Sequence, residues 1–328
     1  MPKVSAIMPA YNAEKYIKEA IESILSQTFG DFEFIIINDC SKDATEEIIL
    51  SYTDPRVVYI KNDENLRVAR TLNKGLEIAQ GEYIARMDAD DISLPDRFEK
   101  QVKYLDTHPE VAVLGTNVEV FDEDGPICTG WSSTDPAQMK VDLFFSCGLA
   151  HPSVMMRKNV IRELGGYDAQ YEGLEDYQLW CRVAEKYGVT TLPELLFRYR
   201  IHGGQVTKNP SPEYLSRMRR LKEWQLSQLG LSMETTGAEL FCNGKQPETE
   251  AEILTTADFY AMVMDANKKK ESYDPTLLKS AFQSVLMASA TKLDGTERKT
   301  VCRSTELISS AGLSVYRLKR WLRKALRR

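Results

Sequence analysis

Tyr83-Ile84-Ala85-Arg86-Met87-Asp88-Ala89-Asp90-Asp91 decides how this chain is read. A short strand-like run, Tyr83 to Met87, follows Gly81 and ends in three carboxylates within four positions. Acids gathered at the end of a buried strand repel one another and are costly to desolvate. A divalent cation holds such a group together, and oxygen ligands suit a hard ion, Mn²⁺ or Mg²⁺. With so few carboxylates the ion needs further ligands, typically substrate phosphates. The alternative is a solvated acidic turn, with Asp91 or Ser93 capping a helix that begins near Leu94-Pro95-Asp96.

The stretch before it weighs on the choice. Val4 to Met8 is a buried-strand candidate closed by Pro9, and Ala13 to Gln27 has apolar residues at a helical period. Phe32 to Ile37 is apolar on both faces, as in a parallel sheet covered on both sides, and stops at Asn38-Asp39-Cys40-Ser41. A helix over Lys42 to Tyr52, a strand over Val57 to Ile60 and a helix over Leu66 to Ala79 lead to the acidic strand. This β-α alternation predicts an α/β sheet flanked by helices, with ligands beyond the carboxyl ends of the strands. Pro9-Ala10-Tyr11-Asn12, Asn38-Asp39 and Asp88 to Asp91 all fall on that rim. Further on, a helix is expected over Pro95 to Thr107 and two strands over Val111 to Leu114 and Asn117 to Phe121. A helix over Tyr177 to Lys186 and a strand over Leu195 to Arg200 follow. Beyond Asn209-Pro210-Ser211-Pro212 the pattern is helical. The expected domains are 1–210, a helical 211–312, and a tail helix over 313–328.

The 328 residues are 43% hydrophobic and 27% charged, a globular composition, and the net charge of -6 argues against a nucleic-acid partner. The six cysteines form no Cys-x-x-Cys pair, so neither a zinc site nor a disulfide framework is indicated, which fits a reducing cytoplasm. No signal-peptide pattern follows Met1, and no run approaches the ~18 apolar residues of a membrane span.

The ordered pieces resemble family 2 glycosyltransferases, which have the GT-A fold. They are residues 4–12, Ser23-Ile24-Leu25-Ser26-Gln27-Thr28, Ile36 to Thr45, Asn73-Lys74-Gly75, Gly81 to Ile84 and the Asp88 to Asp91 run. Gly165-Gly166-Tyr167-Asp168, Glu175 to Trp180 and Tyr199-Arg200-Ile201-His202 complete them. The resemblance implies an open mixed, mainly parallel sheet flanked by helices, with the C-terminal helices as an extension. It implies transfer of a sugar from a UDP-sugar, with inversion, to a glycan or lipid-linked glycan acceptor. Within the family the pattern is most similar to bacterial lipooligosaccharide N-acetylglucosaminyltransferases. By the same resemblance Asp39 pairs with the uracil edge, Pro9, Ala10 and Tyr11 line base and ribose, and Asp88 meets ribose or metal. Asp90 is the metal ligand, and His202 joins the metal or the diphosphate. Asp176 is the general base, with its neighbour Glu175 as the competitor; His151 ranks below His202, and Asp91 reads as structural. Asn38 and Cys40 stand where many relatives have an acid and a glycine. Arg67 stands where they often have glycine, and there, like Arg70, it could grip a phosphate.

Two other classes compete. A non-catalytic nucleotide-sugar binding module would not need Asp90 and Asp176. A nucleotidyltransferase expects a Gly-rich basic loop after the first strand, which residues 9–14 do not supply. The tail, Ser314 to Arg328, has seven basic residues and no acid, with Leu318, Trp321, Leu322, Ala325 and Leu326 at helical spacing. That pattern suits an amphipathic helix on an anionic membrane surface, the inner face of the cytoplasmic membrane.

Overall fold

The computed structural model describes residues 1–130, 132–203 and 211–293. The chain divides into two compact units, residues 1–210 and 211–328. In the first, strands β1 (Val4–Ala10), β2 (Phe32–Asn38), β3 (Val57–Lys61) and β4 (Tyr83–Arg86) alternate with helices α1 (Ile17–Leu25), α2 (Thr45–Leu50) and α3 (Arg67–Ile78). The sheet continues through β5 (Ile92–Ser93), β6 (Val111–Asp122), β7 (Gly125–Gly130), β8 (Met155–Arg157) and β9 (Gly188–Arg200). Helices α4 (Arg97–Thr107), α5 (Pro136–Phe145), α6 (Lys158–Glu163) and α7 (Glu175–Val183) lie between those strands in sequence.

The nine strands run in the order β3-β2-β1-β4-β8-β6-β9-β5, with β7 on β6. Strands β1 to β4 pair in parallel, as does β6 with β9. Strand β8 is antiparallel to both β4 and β6, so the sheet is mixed. All the side chains of β2 except Glu33 are buried, which is why its sequence is apolar at almost every position.

Several expected boundaries shift. Pro9 lies inside β1 rather than ending it: β1 pairs with β4 only as far as Ile7, so no ladder bond on that side needs the missing N–H. The two strands expected over residues 111–121 are one, because bulges at Thr116/Asn117 and Asn117/Val118 keep it paired with β9. The acidic turn does not cap a helix: Ile92–Ser93 pairs with β9, and α4 starts at Arg97.

A buried polar network fixes the end of β4. Arg97, fully buried, donates to the carbonyls of Arg86 at 2.7 Å and Val154 at 3.2 Å. Gln101 donates to Leu114 O at 2.7 Å and Ser153 O at 2.9 Å. These bonds satisfy carbonyls where β4 leaves the sheet, so the acidic turn departs from an anchored point. Burial pulls the Arg97 guanidinium down to about 9.

The second unit contains α8 (Pro212–Gln228), α9 (Ala238–Cys242), α10 (Glu250–Lys270) and α11 (Pro275–Ala290). Thr249 and Glu252 form a capping box on α10, and Tyr260 stacks on Phe282 at 4.0 Å to join α10 to α11. The helix expected over Arg298 to Ser310 and the tail helix over 313–328 lie outside the described residues. No helix among the described residues is long and apolar enough to cross a membrane.

Candidate active site

Strand β4 ends at Arg86, and Asp88, Asp90 and Asp91 follow in a turn. Each offers a carboxylate oxygen, and the three oxygens lie within 4.8 Å of one another. The expectation that Asp91 stands apart from its neighbours is corrected here. Opposite-face alternation holds within a strand, and this segment has already left one. Asp91 also has the structural task foreseen for it: its Oδ1 accepts from the Arg200 N–H at 2.7 Å, while its buried Oδ2 has no partner.

Each acid has a different counterpart. Asp88 is ion-paired with Arg86, which is 3% exposed. Asp90 Oδ2 lies 2.8 Å from His202 Nε2. Arg200, at the end of β9, donates from Nε to Asp90 O at 2.7 Å and pairs with Glu19. The His202 ring packs on Tyr16 with centroids 5.0 Å apart, and the Arg200 guanidinium lies 4.6 Å from the same ring. Burial pushes the Asp91 carboxyl well above the usual range, and the charges of Asp88 and Asp90 push it further. Burial also raises Asp88, against the pull of Arg86. The cluster therefore carries more negative charge than its protein neighbours neutralise. An orphan buried oxygen, three carboxylates and one imidazole nitrogen fit a hard divalent ion.

The β1 and β2 ends form the next part of the rim. Ala10 is buried, Pro9 half-buried, and Tyr11 is 50% exposed, so Tyr11 is a rim residue and not core. Asp39, 4% exposed, accepts from Asn62 Nδ2 at 2.7 Å and from the N–H groups of Leu66 and Arg67, both at 2.9 Å. It thus caps the distant helix α3 and not the helix that follows it in sequence. The next N–H of α3, from Val68, goes to Glu172 Oε1 at 3.1 Å. One helix start therefore joins Asp39 to the loop that leads into α7. Arg67 is exposed and has φ 64; Cys40 has φ 65. These left-handed conformations explain why glycine suits both places in relatives. Arg70 is exposed on α3.

Asp176 is the second residue of α7, inside the helix rather than before it, and its Oδ1 accepts from the Tyr177 N–H at 2.7 Å. Glu175 is turned back onto the Gly173 N–H. Burial raises both carboxyls, Asp176 to about 6 and Glu175 to about 8. The charge of Arg86 draws Asp176 down, while the negative charge of Asp176 adds to the rise of Glu175. His151 takes no part in the acid cluster's hydrogen bonds. Its Nε2 lies 2.9 Å from Tyr167 Oη, and burial holds it well below the usual imidazole range. Tyr167 is set by the Gly165-Gly166 turn, where φ is +79 and +71, and a Cβ on Gly166 would meet Asn73 Oδ1 at 2.5 Å.

Sequence reasoning passed over Arg86, Arg200 and Glu172. A charged residue at position 86, inside an otherwise apolar strand and two places before an acid, was the available signal for the first. The others depend on pairings across 104 to 110 positions.

A mixed sheet, an acidic turn at a strand end and a carboxylate at a helix start across the rim define a nucleotide-sugar transferase of the GT-A type. TarS residues 1–349 of S. aureus, solved in complex with UDP-GlcNAc, shares the fold: TM-score 0.57, 20% identity, 92% of this chain and 91% of that one covered. The chain belongs to glycosyl transferase family 2, whose sequence model matches residues 5–165. It is 36% identical over 249 residues to the uncharacterized glycosyltransferase MJ1057 of Methanocaldococcus jannaschii, covering 74% of this chain and 82% of that protein. It is 31% identical over 226 residues to WfaP of Escherichia coli, a UDP-Glc:alpha-D-GlcNAc-diphosphoundecaprenol beta-1,3-glucosyltransferase, covering 68% and 86%. The protein is a glycosyltransferase.

Proposed function

We propose that this enzyme is an inverting, metal-dependent transferase that moves a sugar from a UDP-sugar to a glycan acceptor hydroxyl in cell-surface polysaccharide or lipooligosaccharide synthesis. The observation that carries the reading is the Asp90–His202 pair set among three converging carboxylates at the end of β4. N-acetylglucosamine is the first sugar to test, since TarS was solved with UDP-GlcNAc. A lipid-linked acceptor follows from the diphosphoundecaprenol named for WfaP.

Asp90 and His202 would hold the divalent ion, Mn²⁺ or Mg²⁺, with Asp88 beside them. When bound, such an ion supplies Lewis-acid stabilisation of the departing diphosphate. Asp88 is shared with Arg86, and Asp91 with the Arg200 N–H, so these two shape the turn around Asp90. Pro9, Ala10 and Tyr11 line the nucleoside, Asp39 takes an N–H from the base, and Arg67 grips the diphosphate. Asp176 takes the acceptor hydroxyl proton as that oxygen attacks the anomeric carbon. Glu175 is committed to the Gly173 N–H, and its higher proton affinity keeps it neutral where Asp176 is ionised.

The experiment is a UDP-release assay over a panel of UDP-, GDP- and dTDP-sugars with Mn²⁺ and lipid-linked acceptors, followed by NMR of the product's anomeric proton. Release from a UDP-sugar with inverted configuration is expected. Retention, or turnover only with another nucleotide, overturns the reading. We also propose that residues 313–328 hold the enzyme against an anionic membrane surface, where such an acceptor would be presented.

A further inference from the structure

The Asn73-Lys74-Gly75 segment of α3 has three separate tasks. Asn73 brackets the Tyr167 backbone through bonds of 2.8 and 2.9 Å, and Gly75 packs where a Cβ would meet Ile7 Cγ2 at 2.6 Å. Lys74 Nζ donates to Asn62 Oδ1 at 2.7 Å. Asn62 is 2% exposed, and its Nδ2 donates in turn to Asp39 Oδ1 at 2.7 Å. An ammonium has only donors, so it accepts no amide N–H. Lys74 therefore turns the Asn62 carbonyl toward itself and the Asn62 amide N–H toward Asp39.

A carboxylate offers about four lone-pair positions. On Asp39, Oδ1 takes Asn62 Nδ2 and Leu66 N, and Oδ2 takes Arg67 N. One position remains, on Oδ2. We infer that Asn62 and Lys74 are nucleobase-specificity residues: by filling Oδ1 they leave Asp39 one acceptor position, matched to a pyrimidine with a single imide N–H. Guanine presents two adjacent N–H donors and finds one acceptor. Cytosine presents a ring acceptor and meets a carboxylate lone pair. Lys74 and Asn62 act through Asp39 and need not touch the base.

The inference rests on the donor reading above, in which Asp39 faces the nucleobase. The test is calorimetry of UDP, CDP and GDP with Mn²⁺ on the full chain, as wild type, Lys74→Met and Lys74→Gln. Wild type should bind UDP at least about tenfold more tightly than CDP or GDP, the worth of one hydrogen bond to a charged group. Lys74→Met frees the Asn62 amide to turn, so UDP should weaken about tenfold while CDP and GDP change by less than about threefold. Lys74→Gln still donates to Asn62 and should keep most of the UDP preference. If Lys74→Met binds UDP as wild type does, or loses all three nucleotides alike, the specificity role is overturned. A wild type that prefers GDP, or binds none of the three, overturns the donor reading itself, and the inference with it.

Discussion

Replacing Asp176 by asparagine should separate stability from activity. The side chain accepts the Tyr177 N–H through Oδ1, and the asparagine carbonyl accepts it equally well. What the substitution removes is a charge held in a buried place. Burial raises the carboxyl from 3.8 to about 6, which corresponds to about 3 kcal/mol at neutral pH. Asp176 keeps some exposure, so screening reduces the figure to about 1–3 kcal/mol. The sign follows from proton binding: the folded state binds the proton more tightly than the unfolded chain. Stability from this group is therefore lost as pH rises from about 4 to about 6 and is constant above that. Asp176→Asn should raise stability by about 1–3 kcal/mol at pH 7.5, a few degrees in Tm. The same change should lower turnover roughly 10²-fold or more while UDP affinity stays within about twofold, because the proton acceptor is gone. Differential scanning fluorimetry without ligand and a UDP-release assay measure the two effects. The wild-type pH profile adds a third: kcat should fall below about pH 6, where Asp176 becomes protonated, whereas catalysis by Glu175 would place the fall near pH 8. Near-normal turnover in Asp176→Asn, or a break near pH 8, would refute the assignment, and Glu175→Gln would then be the variant to test.

Three other outcomes are expected. Cys40→Gly relieves a left-handed backbone and should stabilise the protein by about 0.5–1 kcal/mol after the added chain entropy, read by urea unfolding; a loss of stability would contradict the strain argument. Arg200→Met removes the bond to Asp90 O and the pair with Glu19, and should weaken Mn²⁺-dependent UDP binding about tenfold or more; unchanged binding would show that the turn holds without β9. The full chain should sediment with anionic liposomes at low salt, less so at high salt, and a truncation ending at Gly312 should not; indifference of the full chain to anionic lipid would remove the membrane role of the tail.

Much of the N-terminal half is legible in sequence, because its elements are local and its strands are buried on both faces. Phe32 to Ile37 declares a central strand by having almost no polar position. Asn38-Asp39 and Asp88 to Asp91 declare its rim by stopping such strands with polar groups. The second half of the sheet is not legible in the same way. Residues 92–93 are too short to show a period, and their strand exists because β9 offers them a partner. The continuity of β6 through Gly115 and Thr116 is likewise set by pairing with β9. Residues such as Arg97 and Gln101 look like the polar face of a helix, yet both are fully buried, because the carbonyls they satisfy come from three other segments. Cys40 and Arg67 were visible as departures from glycine; that both positions need a left-handed backbone is visible only in the folded chain.

The central claim is that the acid turn recruits a divalent ion for a nucleotide diphosphate through Asp90. Calorimetric titration of UDP into the wild type and Asp90→Ala, with and without Mn²⁺, tests it directly. Mn²⁺ should tighten UDP binding about tenfold or more in the wild type and leave Asp90→Ala unchanged. Equal UDP affinity with and without Mn²⁺ in the wild type would contradict the claim.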